Sequence, residues 1–149
     1  MVAAASLAVF FGGLFAIAGQ SLSLLRASGQ QSGATLCLQQ RIEEMRRLTW
    51  SERVDAAYIR DNVLAAAPGS ANAVPKLTEQ ITVNAYPTAT APLIVRRPAL
   101  GAPVVLSSNP SLANAKMLRI DAEISWLRAG SNVKTRQFTA IMTQGGVNR

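Results

Sequence analysis

Residues 1–25 contain no Asp, Glu, Lys, Arg or His. Their middle, "VFFGGLFAIAGQ", is apolar in every direction a helix could face. At about 1.5 Å per residue such a helix reaches about 37 Å, enough to cross the roughly 30 Å hydrocarbon core of a bilayer. After Arg26 the pattern changes. Leu38, Ile42 and Met45 recur at helical spacing among Gln39, Gln40, Arg41, Glu43, Glu44, Arg46 and Arg47. One apolar stripe is therefore expected over residues 26–50, packed against a domain. Joined through "RASGQQSGAT", the two parts make a rod of about 70 Å, with a bend or melted turn expected at Gly29 and Gly33, each about 1 kcal/mol worse than Ala in a helix.

Residues 51–149 read as a globular α+β head. Thr49-Trp50-Ser51-Glu52 has the form of a capping box, which predicts a second short helix running through Val54, Tyr58, Ile59 and Leu64 to Pro68-Gly69. "APGSANAVP" reads as a loop. From Leu77 the period becomes two: Ile81, Val83 and Ala85 share one face, and Gln80, Thr82 and Asn84 the other. "PLIVRRP" predicts a short strand that its prolines and its Arg96-Arg97 pair assign to a sheet edge. In "MLRIDAEISWL" the apolar face is Leu118, Ile120, Ala122, Ile124 and Trp126; "RAGSN" is a turn, and "VKTRQFTAIMT" returns with Phe138, Ala140 and Met142 inward. These segments predict an antiparallel hairpin with one buried face. The stripe of Leu38, Ile42 and Met45 is the natural cover for Ile120, Ile124, Trp126 and Phe138.

Composition removes several chemistries. The chain has no histidine and a single cysteine, Cys37, so intrachain disulfides, the usual Cys/His metal sites and His-based catalytic triads are excluded. No enzyme motif, cofactor site or small-molecule substrate site is evident. The net charge of +7 comes from scattered residues, and only Arg46-Arg47 and Arg96-Arg97 are adjacent. Arg96 and Arg97 are the candidate basic surface, and nucleic acid is a secondary candidate partner.

A long helix, apolar then amphipathic, followed by a small antiparallel sheet resembles the type IV pilin and pseudopilin superfamily, of the prepilin-type cleavage and methylation class. "MVAAASLAVFFGGLFAIAG" looks like the segment directly after the prepilin cleavage motif, "LCLQQRIEEMRRLTW" resembles the lower helix of minor pilins, and "IMTQGGVNR" resembles their last strand. The resemblance implies a structural subunit, not an enzyme. It would be held in the bacterial inner membrane with a periplasmic head, and would then join other pilin or pseudopilin subunits in a type IV pilus or a type II secretion-like filament. The family's cleavage glycine, the aromatic after it and the nearby glutamate have no counterpart here, since the first acidic residue is Glu43. Met1 is accordingly expected to lie a few residues inside the mature helix, with a leader before it.

Within the apolar stretch, Ala5, Ala8, Gly12, Gly13, Ala16 and Gly19 supply the small residues that close helix packing favours. Gly12-Gly13 reads equally as a soft spot. Two other readings stand beside the filament subunit. "AIAG" resembles a signal-peptide cleavage site, which would release a secreted β-rich binding domain after Ala18. A DNA-binding minor pilin used in uptake would draw on the +7 charge and the Arg96-Arg97 edge.

Overall fold

The computed structural model describes residues 2–88, 91–127 and 132–145, with side chains described from Gly12 onward. Helix α1, Val2–Arg47, is continuous. It leads through α2, Trp50–Arg53, and α3, Ala56–Tyr58, to a π-helical turn, Ile59–Val63, and a 3-10 turn, Gly69–Ala73. Strands β1, Thr78–Ala85, β2, Leu93–Arg97, and β3, Val104–Ser107, precede a 3-10 turn at Pro110–Asn114. Strands β4, Met117–Leu127, and β5, Val133–Thr143, complete an antiparallel sheet in the order β3-β2-β1-β4-β5. The fold is α+β in two layers. The second half of α1 lies over β4 and β5, while α3 and the π-turn cover β2 on the same face.

The alternating segments form as their pattern requires. Leu118, Ile120, Ala122, Ile124 and Trp126 are all buried, facing one core with Leu38, Ile42 and Met45. The register pairs Ile120 with Ala140 and Leu118 with Met142, which places the whole apolar set of the hairpin on the helix side. The predicted turn "RAGSN" falls almost wholly on residues 128–131, outside the described residues.

Four expectations are corrected. The helix runs unbroken through Gly29 and Gly33, with no melted turn at either. Gly33 is instead where the Gly69–Ala73 turn closes on α1, since a Cβ there would lie 3.1 Å from both Ala73 Cβ and Val74 Cγ2. The single helix predicted from Thr49 is broken, because the Asp55 carboxylate accepts from the Ala57 and Tyr58 amides (2.8 and 3.3 Å) and starts a new helix there. Strand β2 is interior: the edge is β3, four residues with no alternation to announce it. Phe138 is 41 % exposed. Strand β5 is the other edge, and at Phe138 the gap beneath α1 opens into a groove lined by Gln39, Ile42, Glu43 and Arg46. Ala140 and Met142, further along the same face, are buried.

The two glycines should respond oppositely to substitution. Gly29 faces open space, so Gly29→Ala is expected to add about 0.5–1 kcal/mol of helix stability, read as slower amide exchange over residues 26–33. Gly33→Val forces branched carbons into the contact with Ala73 and Val74, and is expected to lower the melting temperature.

At the end of α1 the Thr49 amide and hydroxyl both donate to Glu52 Oε2 at 2.7 Å. These bonds, the amide's foremost, hold the Glu52 carboxyl below its ordinary range. A lowered carboxyl pKa stabilises the fold above the unfolded value, and that contribution is lost as pH falls through the folded one. Side-chain NMR titration is expected to show Glu52 ionised below the usual glutamate range, with the start of α2 loosening only in stronger acid.

Candidate functional site

From Gly12 to Arg26 every side chain of α1 is exposed. Leu14, Phe15, Ile17, Leu22, Leu24 and Leu25 are between 47 % and 75 % accessible. Nothing from the rest of the chain lies within 4 Å of a Cβ built on Gly12, Gly13 or Gly19. This part of α1 is a bare rod, and its two sides differ. At about 100° per residue the six large side chains occupy roughly half the circumference, while Gly12, Ala16, Gly19 and Ser23 follow one another along the opposite side. The two serine hydroxyls bond within the helix: Ser21 Oγ donates to Ile17 O at 2.9 Å and Ser23 Oγ to Gln20 O at 2.8 Å. Ala5 and Ala8 continue the small-residue spacing, but their side chains lie outside the described ones. Among the described residues, no helix is long and apolar enough to cross a membrane; part of the expected spanning segment, residues 1–11, has no described side chains.

The rod is attached to the head by an ionic clamp. Arg41 is 4 % exposed and Glu79 1 %. Arg41 Nε and Nη2 donate to the two Glu79 carboxylate oxygens at 3.2 and 3.0 Å, and Arg97 Nε donates to Glu79 Oε2 at 2.7 Å. The remaining Arg41 donors reach Glu44 Oε2 at 2.7 Å and the Val63 and Ala66 carbonyls at 2.5 and 2.6 Å. One guanidinium thus ties α1 to β1 and closes the open carbonyls at the end of the π-turn and just beyond it. Burial alone would depress the Arg41 pKa. Hydrogen bonding and charge from Glu79, then Glu44, outweigh it and hold the guanidinium above its ordinary range. Two cations and two anions balance, and among the described residues no buried side-chain polar atom lacks a partner. At the end of α1, Arg53 Nε and Nη2 donate to the Met45 and Arg46 carbonyls at 2.9 and 2.7 Å, capping the helix from outside.

The other named residues fall as follows. Leu38, Ile42, Met45, Ile120, Ile124 and Trp126 meet in the core, and Phe138 sits at its margin. Arg96 and Arg97 do not form one basic surface. Neighbours in a strand face opposite ways, so Arg96 is exposed opposite Gln80 on the outer face while Arg97 turns inward to Glu79. The uptake reading loses that edge and keeps only the net charge. Cys37 is buried with its Sγ 3.0 Å from Ser70 Oγ, and burial pushes its thiol pKa up. An apolar groove of about 600 Å³ lies between α3 and β3, but Asp55, its only ionisable lining residue, is already engaged as a helix cap. No group of three or more Cys, Asp or Glu side chains that could hold a metal ion occurs among the described residues.

Comparison with protein-family models, with curated proteins and with solved structures finds no match.

Proposed function

We propose that this chain is a structural subunit of a filament of the type IV pilus or type II secretion kind, with the first half of α1 as its assembly surface. The observation that carries the reading is the bare rod: a helical segment, charge-free as far as Leu25, with six large exposed apolar side chains, on a head that covers only the other half of the same helix. Apolar surface on this scale favours burial against another helix or in lipid. The small-residue side along Gly12, Ala16 and Gly19 lets a neighbouring rod approach closely, and the large side chains of that neighbour fill the space. Before assembly the same surface rests in the inner membrane with the head outside it.

The test fills the small-residue side. Ala16→Leu with Gly19→Leu keeps the rod apolar but removes the close approach. The full chain is expected to form ordered oligomers on detergent dilution, seen by negative-stain electron microscopy, and the double variant to lose them while its head melts unchanged. Equal self-association by both forms would sink the proposal. Intact mass of the exported protein separates the secreted-domain reading, which requires an N-terminus at Gly19. A cut after Ala18 would sever α1 within an unbroken helix.

A further inference from the structure

We propose that four cations, Arg26, Lys76, Lys134 and Arg136, form a collar that binds the anionic phospholipid headgroups of the bilayer entered by the apolar half of α1. The inference rests on the membrane-anchored stage of the function proposed above and adds a partner to it.

Register places the four at one end of the head. Along β5, Phe138 lies beside Gln39–Arg46 of α1, while Arg136 Nη1 donates to Thr35 Oγ1 at 3.1 Å. Moving from Phe138 toward Val133 therefore means moving up α1 toward its bare half. Lys134, opposite Trp126, is one step further along the same inward face. Thr78 pairs with Ser125, which pairs with Thr135, so Lys76, just before β1, comes to the same end of the sheet. Arg26 is nine residues above Thr35, about 13 Å along the helix. All four side chains are exposed.

The acids are elsewhere. Glu43, Glu44, Glu52, Asp55 and Asp61 follow the lower half of α1 and the helices after it. Glu79 is buried between Arg41 and Arg97, and Asp121 and Glu123 belong to the outer face of β4. Among the described residues, the α1 side of the end from which the apolar helix departs thus exposes no acid, and it carries these cations at the level where a bilayer entered by that helix places its phosphates. Cations at a membrane surface attract acidic lipid additively and lose that attraction in salt. Duplex nucleic acid shares the phosphate chemistry, but the apolar helix rising from the middle of this surface stands in its way and suits a bilayer.

The test measures flotation of the full chain with vesicles of phosphatidylcholine alone and of phosphatidylcholine with 30 % phosphatidylglycerol, a composition chosen at roughly physiological surface charge. The expected result is binding to both, tighter to the anionic vesicles. Arg26→Gln/Lys76→Gln/Lys134→Gln/Arg136→Gln is expected to abolish the excess, by about fivefold per charge and about 600-fold in all, without changing binding to neutral vesicles. Arg47→Gln/Lys116→Gln, at the opposite end, is expected to change it by less than about twofold. Equal binding to both vesicles, or an anionic preference that survives the quadruple variant, overturns the collar and leaves the anchor standing. Binding to neither overturns the anchoring stage itself. Displacement of anionic vesicles by duplex DNA at equal phosphate concentration overturns lipid as the partner.

Discussion

Arg41→Ala is expected to destabilise the head by about 3–5 kcal/mol, the effect of stripping one partner from a buried ion pair. Glu79 would be left 1 % exposed with Arg97 as its remaining cation, and the Val63 and Ala66 carbonyls would lose their donor. For a head of this size the melting temperature should fall by roughly 10–20 °C. Glu79→Ala should cost a similar amount, because Arg41 then keeps Glu44 as its charged partner at the margin of the core and Arg97 loses its bond to Glu79. The informative comparison is Arg41→Met/Glu79→Leu/Arg97→Met. Replacing a whole buried network by apolar groups of similar volume is often neutral or stabilising, so this variant should recover most of the loss. What it should not recover is the seating of the helix. Apolar contacts tolerate sliding, whereas the two-oxygen Arg41–Glu79 pair has one geometry. Broadened NMR signals over residues 34–45 in a variant of normal melting temperature are the expected signature. Sharp, unshifted signals there would show that the clamp contributes nothing to register.

Ile120→Ala is expected to cost about 2–5 kcal/mol, and Phe138→Ala less than about 1 kcal/mol, although phenylalanine is the larger residue. Ile120 is fully buried on a strand with neighbours on both sides, so its deletion leaves a cavity. Phe138 stands on an edge strand beside an open groove, and water can occupy the space it vacates. Urea denaturation of the two variants would reverse this ranking if α1 covered the whole width of the hairpin in solution.

These cases show which parts of the fold could be read along the chain. Strand β4 announced itself because all five residues of its alternating apolar face are buried, and the stripe of α1 did so because it faces that strand. Phe138 carried the same signal, yet alternation reports which face a residue takes and not how far the covering layer extends. The clamp was present in the same patterns as an interruption. Arg41 falls in phase with Ala34, Leu38 and Met45, Glu79 with Ile81 and Val83, and Arg97 with Leu93 and Val95. A single charge on an apolar face is ordinarily read as the end of that face. Opposite charges in phase on three separate elements form a stronger signal, visible once the elements are considered together. Strand β3 and the π- and 3-10 turns had no such trace, since each is four or five residues long and is held by the elements around it.

The unbroken course of α1 also decides how the molecule carries a load. A pull on the rod does not meet a hinge at Gly29 or Gly33, because the hydrogen-bonded helix runs through both. It arrives at the head as shear along the helix axis, opposed together by the Arg136–Thr35 bond, the Arg41–Glu79 pair and the Arg53 cap at successive heights. Bonds loaded side by side share the force, whereas bonds that peel apart break in turn. The head is therefore fastened to its rod in the manner of a lap joint, strongest in the direction in which a fibre would be stretched.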